Sequence, residues 1–300
     1  MVAEVLAALQ PRPGGRYADG TVGGGGHAAA ILKSSAPTGW LFGCDRDGVA
    51  LEAAAKRLGE FAGRFELRRG NHSELADWIG PKSCDGVLLD LGVSSPQLDW
   101  PGRGFSFQHD GPLDMRMDSR QVLTAAQVVN ESSVEALSRI FRELGEEPEA
   151  RRLARVIAEE RRCRRFETTR QLAELIERVI PRRGRRVHPA TRAFQALRMA
   201  VNDECDSLRR GLAAALTILK PGGRLAVIAF HSVEDRIVKE FGREQSRDYV
   251  ATGKADVPEL RRPARQRLKW VQRKAVQPSL DEVTENPRAR SAHLRIMEKV

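Results

Sequence analysis

The sequence lacks long apolar runs and has few cysteines. None of its apolar stretches approaches the ~18 residues that a membrane-spanning helix requires, and residues 1–5 contain an acid but no basic stretch. We therefore expect no membrane span and no secretion signal. The four cysteines include no C-x-x-C pair, which argues against a metal site and fits reduced thiols in a cytoplasmic protein.

The excess of positive charge is confined to one segment. The net charge is +10, and residues 151–198 hold 15 Arg, no Lys and 5 Glu, whereas the other 35 basic and 35 acidic residues cancel. Arginine suits phosphate because its planar guanidinium binds two oxygens at once. The segment therefore indicates a polyanion-binding surface, with an arginine-rich solvated helix face as the alternative.

Short apolar strands alternate with helices at both ends of the chain. Predicted strands cover residues 16–19, 40–44, 65–68, 86–91 and 224–230, with late candidates at 268–271 and 293–297. Predicted helices cover residues 28–34, 48–59 and 73–78. This order is typical of an open parallel sheet with helices on both faces.

A long helical insertion interrupts this pattern. Between Asp90 and Gly223 lie 132 residues, whereas a whole β-α-β unit needs only about 30. Thr168 and Gln171 have the spacing of a capping box before an apolar helical pattern. We therefore predict a Rossmann-like α/β domain in two parts, residues 1–103 and 199–300, and an inserted all-helical, basic domain at residues 104–198.

A glycine-rich turn follows the first predicted strand. Asp19 precedes four consecutive glycines, and Asp45 lies 22 residues after Gly23, where an acid can accept hydrogen bonds from a ribose. A second turn, Gly222-Gly223, leads into the fifth strand. The pair is typical of methyltransferases that use S-adenosylmethionine. A dinucleotide enzyme is the alternative, but Asp19 would repel a pyrophosphate and attract the ammonium of methionine.

The fourth strand ends in Asp90, and Ser94-Ser95-Pro96 follows. Enzymes that methylate exocyclic amines place an acid or amide with prolines at this position. The amino nitrogen of cytosine is a poor nucleophile because it is conjugated with the ring. Hydrogen-bond acceptors that hold its N–H groups can aim its lone pair at a sulfonium methyl group.

With these blocks the chain closely resembles a known family, the bacterial ribosomal RNA small-subunit methyltransferase H family, also called MraW. The matching blocks are residues 90–99, 103–107, 110–117, 188–198, 230–239 and 285–291. The resemblance implies N4-methylation of a cytidine in 16S rRNA of the small ribosomal subunit, at the decoding centre near the P site. It also implies a methyltransferase domain interrupted by a helical, RNA-contacting domain.

The resemblance also assigns site residues. The cofactor contacts of the family fall on Gly25, Gly26, His27, Asp45, His72, Asp90 and Gln97. The family usually has Phe at the position of His72, and an imidazole can still stack on adenine. We take Asp90, Ser94, Ser95, His231 and Asp235 as the catalytic candidates. For His231, the alternative is a structural role at a strand end.

Two further sets of residues are candidates for contacting the RNA. Phe105 and Phe107 fit either stacking on the target base or a place in the core. His188 and Arg192 fit either phosphate binding or, for the histidine, a structural role. Within the arginine-rich segment, Arg182, Arg183, Arg185 and Arg186 are the residues that we expect to bind phosphate.

Overall fold

The computed structural model describes residues 1–181, 188–251 and 257–300. The chain packs into two compact units. Unit 1 comprises residues 1–92 and 205–300, and unit 2 comprises residues 93–204. Unit 2 includes the segment predicted as an insertion, whose functional limits at residues 104 and 198 stay a prediction. None of the helices in the described part of the chain is both long and apolar enough to cross a membrane.

Unit 1 contains a seven-stranded sheet and a separate two-stranded sheet. The strands are β1 (Arg16–Asp19), β2 (Trp40–Asp45), β3 (Phe65–Arg69), β4 (Cys84–Asp90), β5 (Leu219–Ala229), β6 (Tyr249–Ala251), β7 (Arg261–Pro263), β8 (Leu268–Trp270) and β9 (His293–Lys299). The order in the large sheet is β3-β2-β1-β4-β5-β9-β8, and β6 pairs with β7. Strands β1 to β5 are parallel, whereas β9 is antiparallel to both β5 and β8.

The parallel strands form because their apolar runs are buried on both faces of the sheet. Val87, Leu88 and Leu89 of β4 are fully buried. All predicted strands are present. β5 begins earlier than predicted, at Leu219, because Leu219 pairs with Cys84 ahead of the bulge in that ladder. The register places Asp19 opposite Leu88, so the carboxyl ends of β1 and β4 lie side by side.

The helices of both units follow the capping and apolar patterns of the sequence. They are α1 (Val2–Leu9), α2 (Gly26–Ser34), α3 (Gly48–Leu58), α4 (Leu75–Trp78), α5 (Ser95–Asp99), α6 (Ala125–Glu131), α7 (Val134–Glu143), α8 (Ala150–Cys163), α9 (Thr169–Val179), α10 (Ala190–Val201), α11 (Glu204–Ile218), α12 (Ser232–Gln245) and α13 (Leu280–Glu285). The predicted helix at residues 73–78 is shorter than expected. Asn71 caps a 3₁₀ turn over residues 72–74, and α4 begins only after it.

Unit 2 is built from α5 to α10 around its own hydrophobic core. The predicted capping box is present at the start of α9, where the side chains of Thr168 and Gln171 each accept a hydrogen bond from the other's backbone N–H. Leu172, Leu175 and Ile176 of α9 are buried in that core. The helical reading of this part of the insertion is therefore confirmed.

Candidate active site

The glycine turn connects β1 to the first turn of α2. Gly23 and Gly25 have φ angles of 50° and 79°, in the left-handed region that glycine adopts without a steric cost. A Cβ atom at Gly25 would lie 3.2 Å from the Cα of Ala54. The turn therefore needs glycine for conformation and for space, and it leaves the N–H groups at the start of α2, from Gly26 onward, without intrahelical acceptors.

Asp45 holds the glycine turn from the end of β2. Its Oδ2 accepts a hydrogen bond from the backbone N–H of Gly23 at 2.8 Å, and its Oδ1 accepts one from the N–H of Asp47 at 2.9 Å. Burial raises the pKa of this carboxyl, while the two backbone N–H groups act in the opposite direction. Each carboxylate oxygen has a second lone pair, so Asp45 can accept further hydrogen bonds from a diol.

A polar network joins the carboxyl ends of β1 and β4. Asp19 is fully buried, and its Oδ1 accepts a hydrogen bond from the N–H of Thr21 at 3.1 Å. The hydroxyl of Thr21 accepts the backbone N–H of Asp90 at 2.6 Å. The Oδ2 of Asp90 lies 3.4 Å from the Nε2 of His27. Two carboxylates and an imidazole therefore share one edge of the sheet.

Burial and mutual charge set the protonation of this network. Burial raises the pKa of Asp19 to about 7, although the neighbouring His27 acts to lower it. Burial alone would lower the pKa of His27, but its hydrogen bond to Asp90 and the negative charges of Asp90 and Asp19 outweigh that effect, and the pKa is raised. The network thus favours a cationic imidazole beside Asp90.

Four buried polar atoms at this edge have no hydrogen-bond partner among the described residues. They are Asp19 Oδ2, His27 Nδ1, His72 Nε2 and Asp90 Oδ1. A buried polar atom without a partner costs about 1–3 kcal/mol. The two carboxylate oxygens fit a ligand that brings hydrogen-bond donors and positive charge, such as the ammonium group of an amino acid.

His72 packs beside the end of β1. A Cβ at Gly20 would lie 2.9 Å from the Cβ of His72, and a Cβ at Gly211 would lie 2.2 Å from its Cδ2. Gly20 therefore makes room for the Cβ of His72, and Gly211 makes room for its imidazole ring. Burial and the charge of Arg46 lower the pKa of His72 to about 3. The ring is neutral at physiological pH and presents a flat, uncharged surface, as the phenyl ring usual in the family would.

Ser94, Ser95 and Gln97 belong to unit 2 and surround the start of α5. Ser94 is the N-cap, and its backbone N–H donates to the side-chain Oε1 of Gln97 at 3.0 Å. Gln97 is buried. Its side chain therefore caps a short helix, which is a structural role that the sequence comparison with the family did not indicate. The predicted cofactor contact of Gln97 stays a prediction.

His231 and Asp235 make structural contacts at the start of α12. The Nδ1 of His231 accepts the backbone N–H of Glu234 at 3.4 Å, and its Nε2 lies 3.2 Å from a carboxylate oxygen of the same residue. Arg295 of β9 donates to both oxygens of Asp235, at 2.5 and 3.1 Å. Burial opposes the charge of Asp235, but Arg295 prevails and the pKa is lowered. The geometry favours the structural alternative for His231. It also gives Asp235 a locking role, in which its carboxylate holds α12 to β9 through Arg295.

Asp235→Asn is expected to lower the free energy of unfolding by roughly 1.5–3 kcal/mol at pH 7, because it removes charged hydrogen bonds. A depressed pKa stabilises the fold above the pKa of the unfolded state, about 4, and this contribution is lost as the pH falls through the folded-state pKa. Urea unfolding between pH 3 and pH 7 checks this, with Asp77→Asn, which alters an exposed acid, as the control. Equal stability of variant and wild type at pH 7 would contradict the locking role.

The two phenylalanines of unit 2 that were candidates for RNA contact lie in its core or pack against it. Phe105 is buried, and the ring of Phe107 lies 4.5 Å from that of His188 and 4.9 Å from that of Phe194. The Nε2 of His188 lies 2.7 Å from a carboxylate oxygen of Glu177. These contacts favour packing over base stacking. Arg182, Arg183, Arg185 and Arg186 lie outside the described residues.

The fold and the site together define a class of enzyme. A doubly wound sheet with the order 3-2-1-4-5 binds its ligand at the switch point between β1 and β4. That is where the glycine turn, Asp45 and Asp90 lie, and the antiparallel β9 completes the Rossmann-like methyltransferase fold that we predicted. The class is therefore the Rossmann-like methyltransferases.

The model of the MraW methylase family matches residues 1–300, and the chain belongs to that family. Three relatives are each named ribosomal RNA small subunit methyltransferase H. The protein of Syntrophotalea carbinolica is 51% identical over 305 residues, covering 100% of this chain and 96% of the relative. Those of Symbiobacterium thermophilum and Geobacter sulfurreducens are each 50% identical, covering 100% of this chain and 95% and 97% of the relative, respectively. The predicted family and the predicted cofactor, S-adenosylmethionine, are thereby confirmed.

Sequence reasoning missed two residues that organise the site. Thr21 links Asp19 to Asp90. In the sequence, its role is indicated only by its hydroxyl group and its position two residues after the acid that ends β1. Glu234 is buried, accepts the backbone N–H of Phe230 at 2.9 Å and contacts His231. Its position three residues after a polar N-cap, as in a capping box, was the available signal.

Proposed function

We propose that this chain transfers the methyl group of S-adenosylmethionine to N4 of a cytidine in 16S rRNA, at the decoding centre near the P site. The observation that carries the proposal is the relationship along the full length to proteins named ribosomal RNA small subunit methyltransferase H. The half-buried acid that ends β4, Asp90, followed in sequence by Ser94-Ser95-Pro96, supports an exocyclic amine as the acceptor.

Gly25, Gly26, His27 and Asp45 are proposed to hold the cofactor, together with Asp90. The glycine turn allows close approach of the ligand to the backbone, and Asp45 accepts hydrogen bonds from the ribose hydroxyls. Asp19 and Asp90 offer buried oxygens to the ammonium group. His72 contributes a neutral ring for the adenine, and Gln97 completes the proposed set.

The bound cofactor supplies an electrophilic methyl group on a sulfonium. Asp90 and the loop at Ser94 and Ser95 orient the amine of cytosine for in-line attack, which contributes to the rate mainly through positioning. Asp90 stabilises the positive charge that develops on the amine. The methylated amino group is acidic once it carries positive charge, so its proton leaves during or after transfer without a strong base.

The two cysteines of the sheet are not suited to methylation at C5 of the pyrimidine. That reaction requires a thiolate that adds to C6 and makes C5 nucleophilic. Burial raises the pKa of Cys44 well above its usual value and that of Cys84 to about 12. Both remain thiols at neutral pH, so neither of these two cysteines is poised to add to C6.

Transfer of labelled methyl groups to isolated ribosomal subunits tests the substrate class. We expect label in the RNA of small subunits that lack the modification, and none in the RNA of large subunits or in small subunits that already carry it. Label in the large-subunit RNA, or in protein, would contradict the proposal.

The arginine-rich segment is proposed to bind the rRNA through its phosphates. Replacing Arg182, Arg183, Arg185 and Arg186 by Ala should weaken RNA binding and flatten its salt dependence by a slope of ~0.7 for each lost contact with a single strand. The affinity for the cofactor should stay the same, which serves as the internal control. If RNA affinity and its salt slope stayed unchanged, the result would favour the alternative that this stretch is an arginine-rich solvated face.

A further inference from the structure

A second concentration of positive charge lies in unit 1, outside the arginine-rich insertion. Residues 261–274, here called the outer-edge segment, contain seven Arg or Lys and no Asp or Glu. All seven basic side chains are exposed. Because the acids and bases outside residues 151–198 cancel in number, the overall charge hides this local excess.

From Leu268 onward, the outer-edge segment runs along the free edge of the large sheet. Leu268 pairs with Lys299 and Trp270 with Met297, and the chain then continues beside β9 until Val276 pairs with Leu294. Lys299 and Leu294 are five residues apart along β9, which corresponds to about 16 Å of strand at 3.2–3.4 Å per residue.

The direction of this path is set by the register of β9 on β5. His293 pairs with Ala229 at the carboxyl end of β5. The path ends beside Leu294, which pairs with Ile228 of β5. Ile228 in turn pairs with Asp90 of β4. The outer-edge segment therefore leads from the amino edge of the sheet toward the edge that carries the candidate active site.

Several of these cations have no carboxylate partner. Lys269 is paired with Glu298 at 2.8 Å, and Arg267 donates to the side chain of Gln245 at 3.2 Å. In contrast, the side chains of four residues make no salt bridge within the described ranges: Arg262, Arg265, Arg273 and Lys274. Positive charge is thus available near both ends of the path for an anion from outside the protein.

An aromatic side chain supports the start of the outer-edge segment, where β7 pairs with β6. The guanidinium of Arg261 lies 4.2 Å from the ring centroid of Tyr249, and that of Arg247 lies 5.4 Å from it. Stacking on a ring restrains the guanidinium and leaves its edge for hydrogen bonds. Interleaved arginine and aromatic side chains are a feature of surfaces that bind single-stranded nucleic acids.

We propose that the outer-edge segment binds the phosphodiester backbone of the rRNA substrate and guides it toward the carboxyl edge of the sheet. This inference rests on the proposed function and adds a contact surface to the methyltransferase unit itself. Five of the seven cations are arginines, whose planar fork matches phosphate oxygens. A helix with an apolar face, which surface binding to membranes requires, is not part of the segment.

Charged side chains on an edge strand also have a protective function, because they prevent pairing with a second sheet. This alternative predicts a different consequence of removing the charge. Loss of protection would promote self-association and leave the affinity for RNA unchanged, whereas loss of a phosphate contact would lower the affinity of a monodisperse protein.

The test compares two double variants of the full chain, each of which neutralises two exposed cations of unit 1. R273Q/K274Q alters the outer-edge segment near the active-site edge. K33Q/K56Q, the matched control, alters α2 and α3 on the opposite side of the strand order. The probe is a single-stranded fragment of unmodified 16S rRNA, titrated by fluorescence anisotropy from 0.05 to 0.3 M salt.

We expect R273Q/K274Q to lower the salt slope by about 1.4 and the affinity by roughly 10- to 30-fold at 0.1 M salt, as two lost contacts with a single strand imply. K33Q/K56Q should change neither. Calorimetric cofactor affinity should be equal in all three proteins. Equal RNA affinities for both variants would overturn the inference. It would also be overturned if R273Q/K274Q self-associated without losing RNA binding, or if it lost binding to anionic lipid vesicles without losing RNA binding.

The wild-type protein separates this inference from the proposed function. If wild type neither binds nor methylates the rRNA, the proposed function fails. If wild type methylates the rRNA and R273Q/K274Q retains both its RNA affinity and its salt slope, only the role of the outer-edge segment is wrong.

Discussion

Asp90→Asn is expected to lower the rate of methyl transfer by roughly 10²–10³, the range seen when one preorganised electrostatic partner is removed. The substitution keeps the shape of the side chain and removes its charge. Asp90 contacts His27 through Oδ2, its backbone N–H is held by Thr21, and its Oδ1 is buried with no partner among the described residues. The charge that supports both the imidazole and the developing cation would be lost.

Single-turnover assays with saturating cofactor and rRNA measure this effect without a contribution from binding. Asp85→Asn is the matched control, because Asp85 lies at the other end of β4 and pairs with Lys220 at 2.8 Å. It should affect stability and leave the rate of transfer in the folded protein close to that of wild type. A rate near wild type for Asp90→Asn would place the decisive groups elsewhere, with Ser94 and Ser95 the remaining catalytic candidates.

Asp45→Ala is expected to weaken cofactor binding by roughly 1.5–3 kcal/mol, the cost of losing hydrogen bonds to a charged acceptor. This corresponds to about 10- to 150-fold in affinity, since each 1.4 kcal/mol is a factor of ten. The same carboxylate holds the N–H of Gly23, so the variant also loosens the turn that the cofactor must contact.

Isothermal titration calorimetry with S-adenosylmethionine checks this prediction on protein shown to be folded by circular dichroism. Asp47→Ala serves as the control, because the carboxylate of Asp47 caps α3 by accepting the N–H of Val49 and is not predicted to contact the ribose. Unchanged affinity in a folded Asp45→Ala protein would exclude Asp45 from the cofactor site.

The sheet and the cofactor edge could be predicted from sequence because each rests on local patterns. Apolar runs identify strands that are buried on both faces, and the glycines before α2 identify a turn that other residues cannot form. The distance of 22 residues between Gly23 and Asp45 placed both residues at one edge of the sheet, since the carboxyl ends of neighbouring parallel strands meet there; their hydrogen bond to each other was not predicted.

Other features depend on contacts between distant residues that no local pattern records. The pairing of Asp235 with Arg295 joins residues 60 positions apart, so Asp235 resembled a free acid in the sequence. The oxygen of Gln97 caps its own helix, which competes with the ligand contact that the family resemblance implies. The charge of the outer-edge segment does not show in the net charge of the chain, because acids elsewhere cancel it in the count.

Chromatography and fragmentation mass spectrometry of nucleosides from unmodified small subunits, after incubation with the enzyme and isotopically labelled S-adenosylmethionine, test the central claim most directly. The account predicts that the label appears in N4-methylcytidine from a single position of the 16S rRNA, in the decoding centre. Label in 5-methylcytidine, which has the same mass but fragments differently, or in any other nucleoside would contradict it, as would the absence of label from the RNA.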